Sequence, residues 1–199
     1  RSPHTRGRRQ RQMCIRDRSF SAFAKDVGIN KKNKNDLDSI LLEVGEWRDI
    51  GPFRGGRSTT ATGITSSDQI YYMGTTGGGL WKTYDAGLSW KNVSDGFFAT
   101  GSVGAVSVSE SNNNIVVVGM GESPVRGVMT SSGDGVYKSV DAGETWEHIG
   151  LDVTKHISQV RIHPDNPDVM YVSAQGSPYV DTQDRGVYRT TDGGKNWKK

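Results

Sequence analysis

One eight-residue pattern occurs three times, and it constrains this 199-residue chain more than any other feature. Thr83-Tyr84-Asp85-Ala86-Gly87-Leu88-Ser89-Trp90 returns as Ser139-Val140-Asp141-Ala142-Gly143-Glu144-Thr145-Trp146. It returns again as Thr190-Thr191-Asp192-Gly193-Gly194-Lys195-Asn196-Trp197, with the aspartates 56 and 51 residues apart. A fixed period of that size marks stacked copies of one supersecondary unit, none of which buries its apolar face alone. The chemistry of the turn is legible as well. Asp and Ser/Thr oxygens accept backbone N–H groups across a tight bend, the Gly two residues on tolerates positive φ, and the Trp opens the next strand with a large ring to bury.

The similarity continues upstream of each copy. The pentads 79–83 (GLWKT), 135–139 (GVYKS) and 186–190 (GVYRT) alternate apolar and polar residues, as half-buried strands do. More apolar, β-branched strands precede them at 70–74, 115–119 and 169–173. Asn112-Asn113-Asn114 and the run 163–167 supply turns before two of these. Further strands read at 57–64, 103–108 and 157–162. Each unit is therefore four short antiparallel strands, A to D, with the aspartate box in the C–D turn. That is one blade of a β-propeller. The expected fold class is all-β, about three four-stranded blades of a larger ring, covering roughly 57–93, 102–149 and 156–199. Residues 19–46 differ: 28–35 is linker-like, and Asn35-Asp36 caps a short N-terminal helix through Val44 with Leu37, Ile40 and Leu41 on its apolar stripe.

Charge separates the ends from the body. Residues 1–18 contain seven arginines against Asp17, more than the whole formal charge of +3, and the remainder is net acidic. The string Arg8-Arg9-Gln10-Arg11-Gln12-Met13-Cys14-Ile15-Arg16-Asp17-Arg18 resembles translated sequencing-adaptor sequence and is set aside from the fold. Cys14, the sole cysteine, goes with it, leaving no thiol for a disulfide framework or a thiolate metal site. An acidic body gives no footprint for nucleic acid, and no run of 18 apolar residues spans a membrane. The glycine-rich 74–79 run lacks the order of a phosphate loop.

The three boxes resemble the Asp-box (BNR) signature of sialidases, sortilin-type VPS10 propellers and xyloglucanase-type glycoside hydrolases. The segments 47–57, 77–82 and 118–123 bring the text nearest to exported, sortilin N-terminal-like bacterial proteins. The resemblance covers about 47–199. It implies a secreted or periplasmic protein whose ring closes with six to ten blades, so the remaining blades of a longer chain are expected partners. It also implies structural roles for Asp85, Gly87, Trp90, Asp141, Gly143, Trp146, Asp192, Gly194 and Trp197, on the face opposite the usual ligand site.

Ligands are then expected on the B–C and D–A loops. Candidate ligand-binding residues there are Arg54, Arg57, Arg126, Asp134, Asp181 and Asp184, with Glu122 as candidate catalytic acid or base. The bland reading pairs Glu122 with Arg126 and the loop arginines with neighbouring acids. Phe97, Phe98 and Tyr179 either stack on sugar rings or plug gaps between blades. His148, His156 and His163 show no metal-ligand spacing, and the acids at 181 and 184 lack the ordered oxygens of a calcium loop, so no metal or cofactor is expected. Two functions follow: a scaffold capturing a protein, peptide or glycan, or a glycoside hydrolase of the xyloglucanase type acting on β-glucans. Thr76 stands where the resemblance to xyloglucanases implies an acid.

Overall fold

The computed structural model describes residues 56–124, 130–177 and 179–199. The strands are β1 (Ser58–Ile64), β2 (Ser67–Thr75), β3 (Leu80–Thr83), β4 (Lys91–Asn92), β5 (Val103–Val108), β6 (Val116–Met120), β7 (Val136–Ser139), β8 (Glu147–His148), β9 (Ile157–Ile162), β10 (Met170–Ala174) and β11 (Gly186–Thr190). They form three separate meandering sheets: β1-β2-β3-β4, β5-β6-β7-β8 and β9-β10-β11. All pairings are antiparallel. The innermost strands β1, β5 and β9 pack in succession, which is how propeller blades gather about an axis. The expected helix at 35–44 lies outside the described residues. The third sheet departs from the four-stranded expectation: its last strand is a single bridge, Arg189 to Lys198. Strand D is only two residues long in the other blades, so losing one pair reduces it to a bridge.

Each box closes by the same hydrogen bonds. In the first, Asp85 Oδ1 accepts the Thr83 hydroxyl at 2.7 Å and the Ser89 amide at 2.8 Å, and Thr83 Oγ1 accepts the Gly87 amide at 2.9 Å. Asp141 and Asp192 repeat this with Ser139/Thr145 and Thr190/Asn196. The residue after each aspartate is left-handed too (φ 57° at Ala86, 59° at Ala142, 75° at Gly193), ahead of the glycine. Two successive left-handed residues reverse the chain within the bend, and an alanine there accepts a strain of about 1 kcal/mol.

Two apolar cores fill the spaces between blades. Tyr72, Leu80, Val103, Val118 and Met120 belong to the core joining the first and second blades; Val117, Val136, Ile157, Met170 and Val172 belong to the core joining the second and third. Each fully buried aliphatic chain contributes about 1.5–3 kcal/mol. Close approach requires glycine at one point of each core. A Cβ at Gly74 would collide with Val103 and Thr60, and one at Gly119 with Ile157 and Val160.

Polar ties cross the same two spaces. Tyr72 Oη and Lys82 Nζ both donate to the Ala142 carbonyl, at 2.9 and 2.8 Å. Lys138 Nζ donates to the Gly193 carbonyl at 3.1 Å. In return, Trp146 Nε1 donates to Val93 O at 2.7 Å and Trp197 Nε1 to Ile149 O at 2.8 Å. The second and third boxes are thus each held by the blade before them. The box tryptophans are half-buried, Trp146 and Trp197 packing against the edges of the two cores. Trp90, with no earlier blade among the described residues, turns its indole N–H to its own Gly87 O at 3.1 Å.

Candidate functional site

On the loop face every inner strand begins beside the end of its neighbour. Thr76 N donates to Arg57 O (3.0 Å), Gly121 N to Ser102 O (2.7 Å) and Gln175 N to His156 O (2.8 Å). Arg57, Ser102 and His156 therefore occupy equivalent rim positions in successive blades. Glu122, the second residue after β6, lies between them. Its side chain is wholly buried and its Oε1 accepts Arg57 Nη2 of the preceding blade, whose side chain is 53% exposed. Its Oε2 accepts the Ser131 amide at 3.4 Å. From the following blade, His156 Nδ1 donates to the Glu122 carbonyl at 2.9 Å. A carbonyl only accepts, so Nδ1 carries the proton and Nε2 keeps its lone pair. Burial pushes the imidazole below its usual range, and the Asp184 charge opposes that.

Among the described residues, the ion-pair partner of Glu122 is Arg57, 65 positions earlier and in the preceding blade. Arg54 and Arg126 lie outside the described residues. Asp134 is a brace, its carboxylate accepting the Tyr137 hydroxyl at 2.6 Å and that of Thr100 at 3.2 Å. Asp181 is exposed. Asp184 Oδ2 is buried and, like Ser102 Oγ, has no hydrogen-bond partner among the described residues. The structure brings Glu122 and Arg57 together and leaves Asp134 on a separate brace.

The loop aromatics divide. Phe98 plugs the gap between blades, 4.6 Å from the Tyr137 ring and 5.1 Å from Trp146. Phe97 and Tyr179 are exposed, Tyr179 Oη accepting the Thr130 amide at 3.2 Å. His148 contacts Asp134 O at 2.8 Å and stacks edgewise on Tyr137, and His163 caps its own turn through Asp165. Among the described residues no three His, Cys, Asp or Glu side chains gather as a metal site would need.

Residues 78–199, the span that contains all three boxes, match the family model described as sortilin, neurotensin receptor 3. The chain belongs to the Sortilin-Vps10 family. No curated protein matches it in sequence. Solved structures similar to this sortilin-family chain are propellers. An ancestral GH74 enzyme is 19% identical with a TM-score of 0.55, over 73% of this chain and 18% of that one. The GH74 xyloglucanase from Xanthomonas campestris is 18% identical with a TM-score of 0.55, over 77% and 22%. YCF48 bound to D1 peptide is 17% identical with a TM-score of 0.51, over 72% and 40%. This sortilin-family chain therefore spans less than half of each neighbour, and the likeness is one of fold.

Sequence reading missed the two-sided bracing of Glu122 and the lysines that hold the next blade's box. The lysines had a signal: the fourth residue of all three pentads is basic (Lys82, Lys138, Arg189). The bracing had none, because the equivalent rim positions carry unlike residues, Arg57, Ser102 and His156, and Glu122 lies outside that series.

Proposed function

We propose that this chain is part of an exported propeller scaffold that captures a peptide, protein or glycan on its loop face. One observation carries the reading. Glu122, the best-buried carboxylate of that face, is engaged by Arg57 and by the Ser131 amide, an arrangement that stiffens a rim rather than freeing an acid or base. Glycoside hydrolysis needs two carboxylates about 5–9.5 Å apart, both free to act on a sugar. Asp134 is committed to Tyr137 and Thr100. Arg57 keeps a half-exposed guanidinium whose remaining N–H groups suit a carboxylate or carbonyl ligand.

The alternative, a glycoside hydrolase of the xyloglucanase type acting on β-glucans, is supported by likeness of fold alone. To separate them, the chain is incubated with xyloglucan, mixed-linkage β-glucan and sialosides while released sugar is measured, and its binding to immobilised glycans and peptides is followed in parallel. Binding without turnover, weakened by Arg57→Ala, is the expected result. Turnover that disappears in Glu122→Gln would overturn it.

A further inference from the structure

We propose that Asp95 is a site of spontaneous isoaspartate formation, the member of three Asp-Gly pairs that the folded chain leaves able to react. The pairs are Asp95-Gly96, Asp134-Gly135 and Asp192-Gly193. A glycine after aspartate has no side chain to shield its amide nitrogen, so all three begin with the same local chemistry. The fold separates them.

At Asp192 both reacting groups are held. Its Oδ1 accepts the Thr190 hydroxyl at 2.7 Å and the Asn196 amide at 2.9 Å, and its Oδ2 accepts Asn196 Nδ2 at 2.7 Å. The Gly193 amide, which would be the nucleophile, donates to Asp168 O at 3.0 Å. The Asp134 carboxylate is fixed by the Tyr137 and Thr100 hydroxyls, and Gly135 is packed so closely that a Cβ would lie 2.4 Å from Gly150 O. Asp95 is the contrary case. It is exposed, and its own amide donates to Asn92 Oδ1 at 3.0 Å. Its carboxylate and the Gly96 amide have no hydrogen-bond partner among the described residues. A Cβ at Gly96 would meet nothing within 4 Å.

The backbone there can also turn. Ser94 O accepts the Phe97 and Phe98 amides at 3.1 and 3.2 Å, so Asp95 and Gly96 are the central residues of a β-turn. Gly96 has φ 84°, as the third residue of a type II turn does. Rotating the central peptide gives the type I form without breaking either bond to Ser94 O, and it moves the Gly96 nitrogen relative to the Asp95 carboxyl. That nitrogen attacks Cγ of the protonated carboxyl group. The N–Cγ bond forms, a Cγ–O bond breaks, and the hydroxyl leaves with the amide proton as water, closing a succinimide. Water then adds back. Opening at the Cα-side carbonyl routes the chain through the side chain as isoaspartate, and opening at Cγ restores aspartate. The product has one more methylene in the connector between β4 and β5, ahead of the Phe98 ring that fills the gap between blades.

Trypsin separates the three pairs, into peptides 92–126, 127–138 and 190–195. The full chain is incubated for weeks at physiological temperature, folded and in concentrated urea, then digested. Isoaspartate is placed by electron-transfer fragmentation and by methyl uptake from a labelled donor in the presence of an isoaspartyl methyltransferase. In the folded chain it should form at Asp95 at least about tenfold faster than at Asp134 or Asp192, whose hydrogen bonds must open first. In urea the three rates should converge. Asp95→Glu, an exposed change that requires a larger ring, should leave circular dichroism unaltered and position 95 unreacted. Similar rates at the three pairs in the folded chain, or no product at Asp95 when the urea sample contains it, would overturn the proposal.

Discussion

Lys82 Nζ lies 2.8 Å from the carbonyl oxygen of Ala142, a residue 60 positions later and in the next blade. The lysine stem is buried along strand C while its ammonium caps a turn that has spent its side-chain acceptors on itself. Lys82→Met keeps the stem and removes the donor. We predict a loss of about 1–2 kcal/mol, read from urea unfolding, and a larger loss when Tyr72→Phe is added. No change in the double variant would remove this contact from the forces joining blades.

The box tryptophans allow a comparison within one molecule. Trp146→Phe loses the bond to Val93 O and the edge contact with Phe98, and a loss of about 1–2 kcal/mol is expected. Among the described residues Trp90→Phe loses a bond within its own turn alone, so its effect should be a few tenths of a kcal/mol, about that of an exposed hydrogen bond. Equal effects in thermal unfolding would show that the ring matters to the turn and not to the interface.

Acid should expose the boxes. Hydrogen bonds from the Ser89 hydroxyl and then its amide hold Asp85 at about 2, below the ordinary 3.8. The Thr145 hydroxyl and amide hold Asp141 at about 2, and the Asn196 side chain lowers Asp192 in the same way. A carboxylate whose folded pKa is depressed stabilises the fold fully above its unfolded value, and the stabilisation disappears as pH falls through the folded value. Melting temperature should therefore drop between about pH 4 and pH 2, and Asp141→Asn should flatten that limb. An acid limb unchanged by the substitution would place the loss elsewhere.

At Glu122 the two halves of one ion pair should behave unequally. Arg57→Met removes one charged partner of a buried carboxylate that retains the Ser131 amide, and a cost of about 1–3 kcal/mol is predicted, reduced from the fully buried case because Arg57 is half-exposed. Glu122→Gln leaves the arginine free to meet water and should cost about 1 kcal/mol. Denaturant midpoints measure both, and the reverse order would contradict the buried position of Glu122.

The inner glycines supply a steric check. Gly119→Ala forces a methyl group against Ile157 and Val160, whereas Gly77→Ala meets nothing within 4 Å. The first should cost about 1–3 kcal/mol and the second close to nothing. Similar thermal stabilities for the two would mean that the blades are free to separate.

Much of the blade could be read in the chain because it is local. Strands at 103–108 and 157–162 have the bounds expected from the sequence. The aspartate of each box closes its turn with hydrogen bonds spanning two to four residues. That turn is written in neighbouring residue types, even though the next residue's amide also donates near the start of strand B. The sequence also marked Arg57 and Glu122 as notable. It did not join them, since their approach depends on how far one blade is turned against the next, a quantity set by Gly74, Val103 and the rest of the shared core rather than by either residue. For the same reason Phe98 becomes a plug and Trp146 a donor to Val93. Period and turn chemistry are short-range properties written into neighbouring side chains. The pairing of distant ones is decided only when apolar faces close on each other, and that closure belongs to the assembled structure.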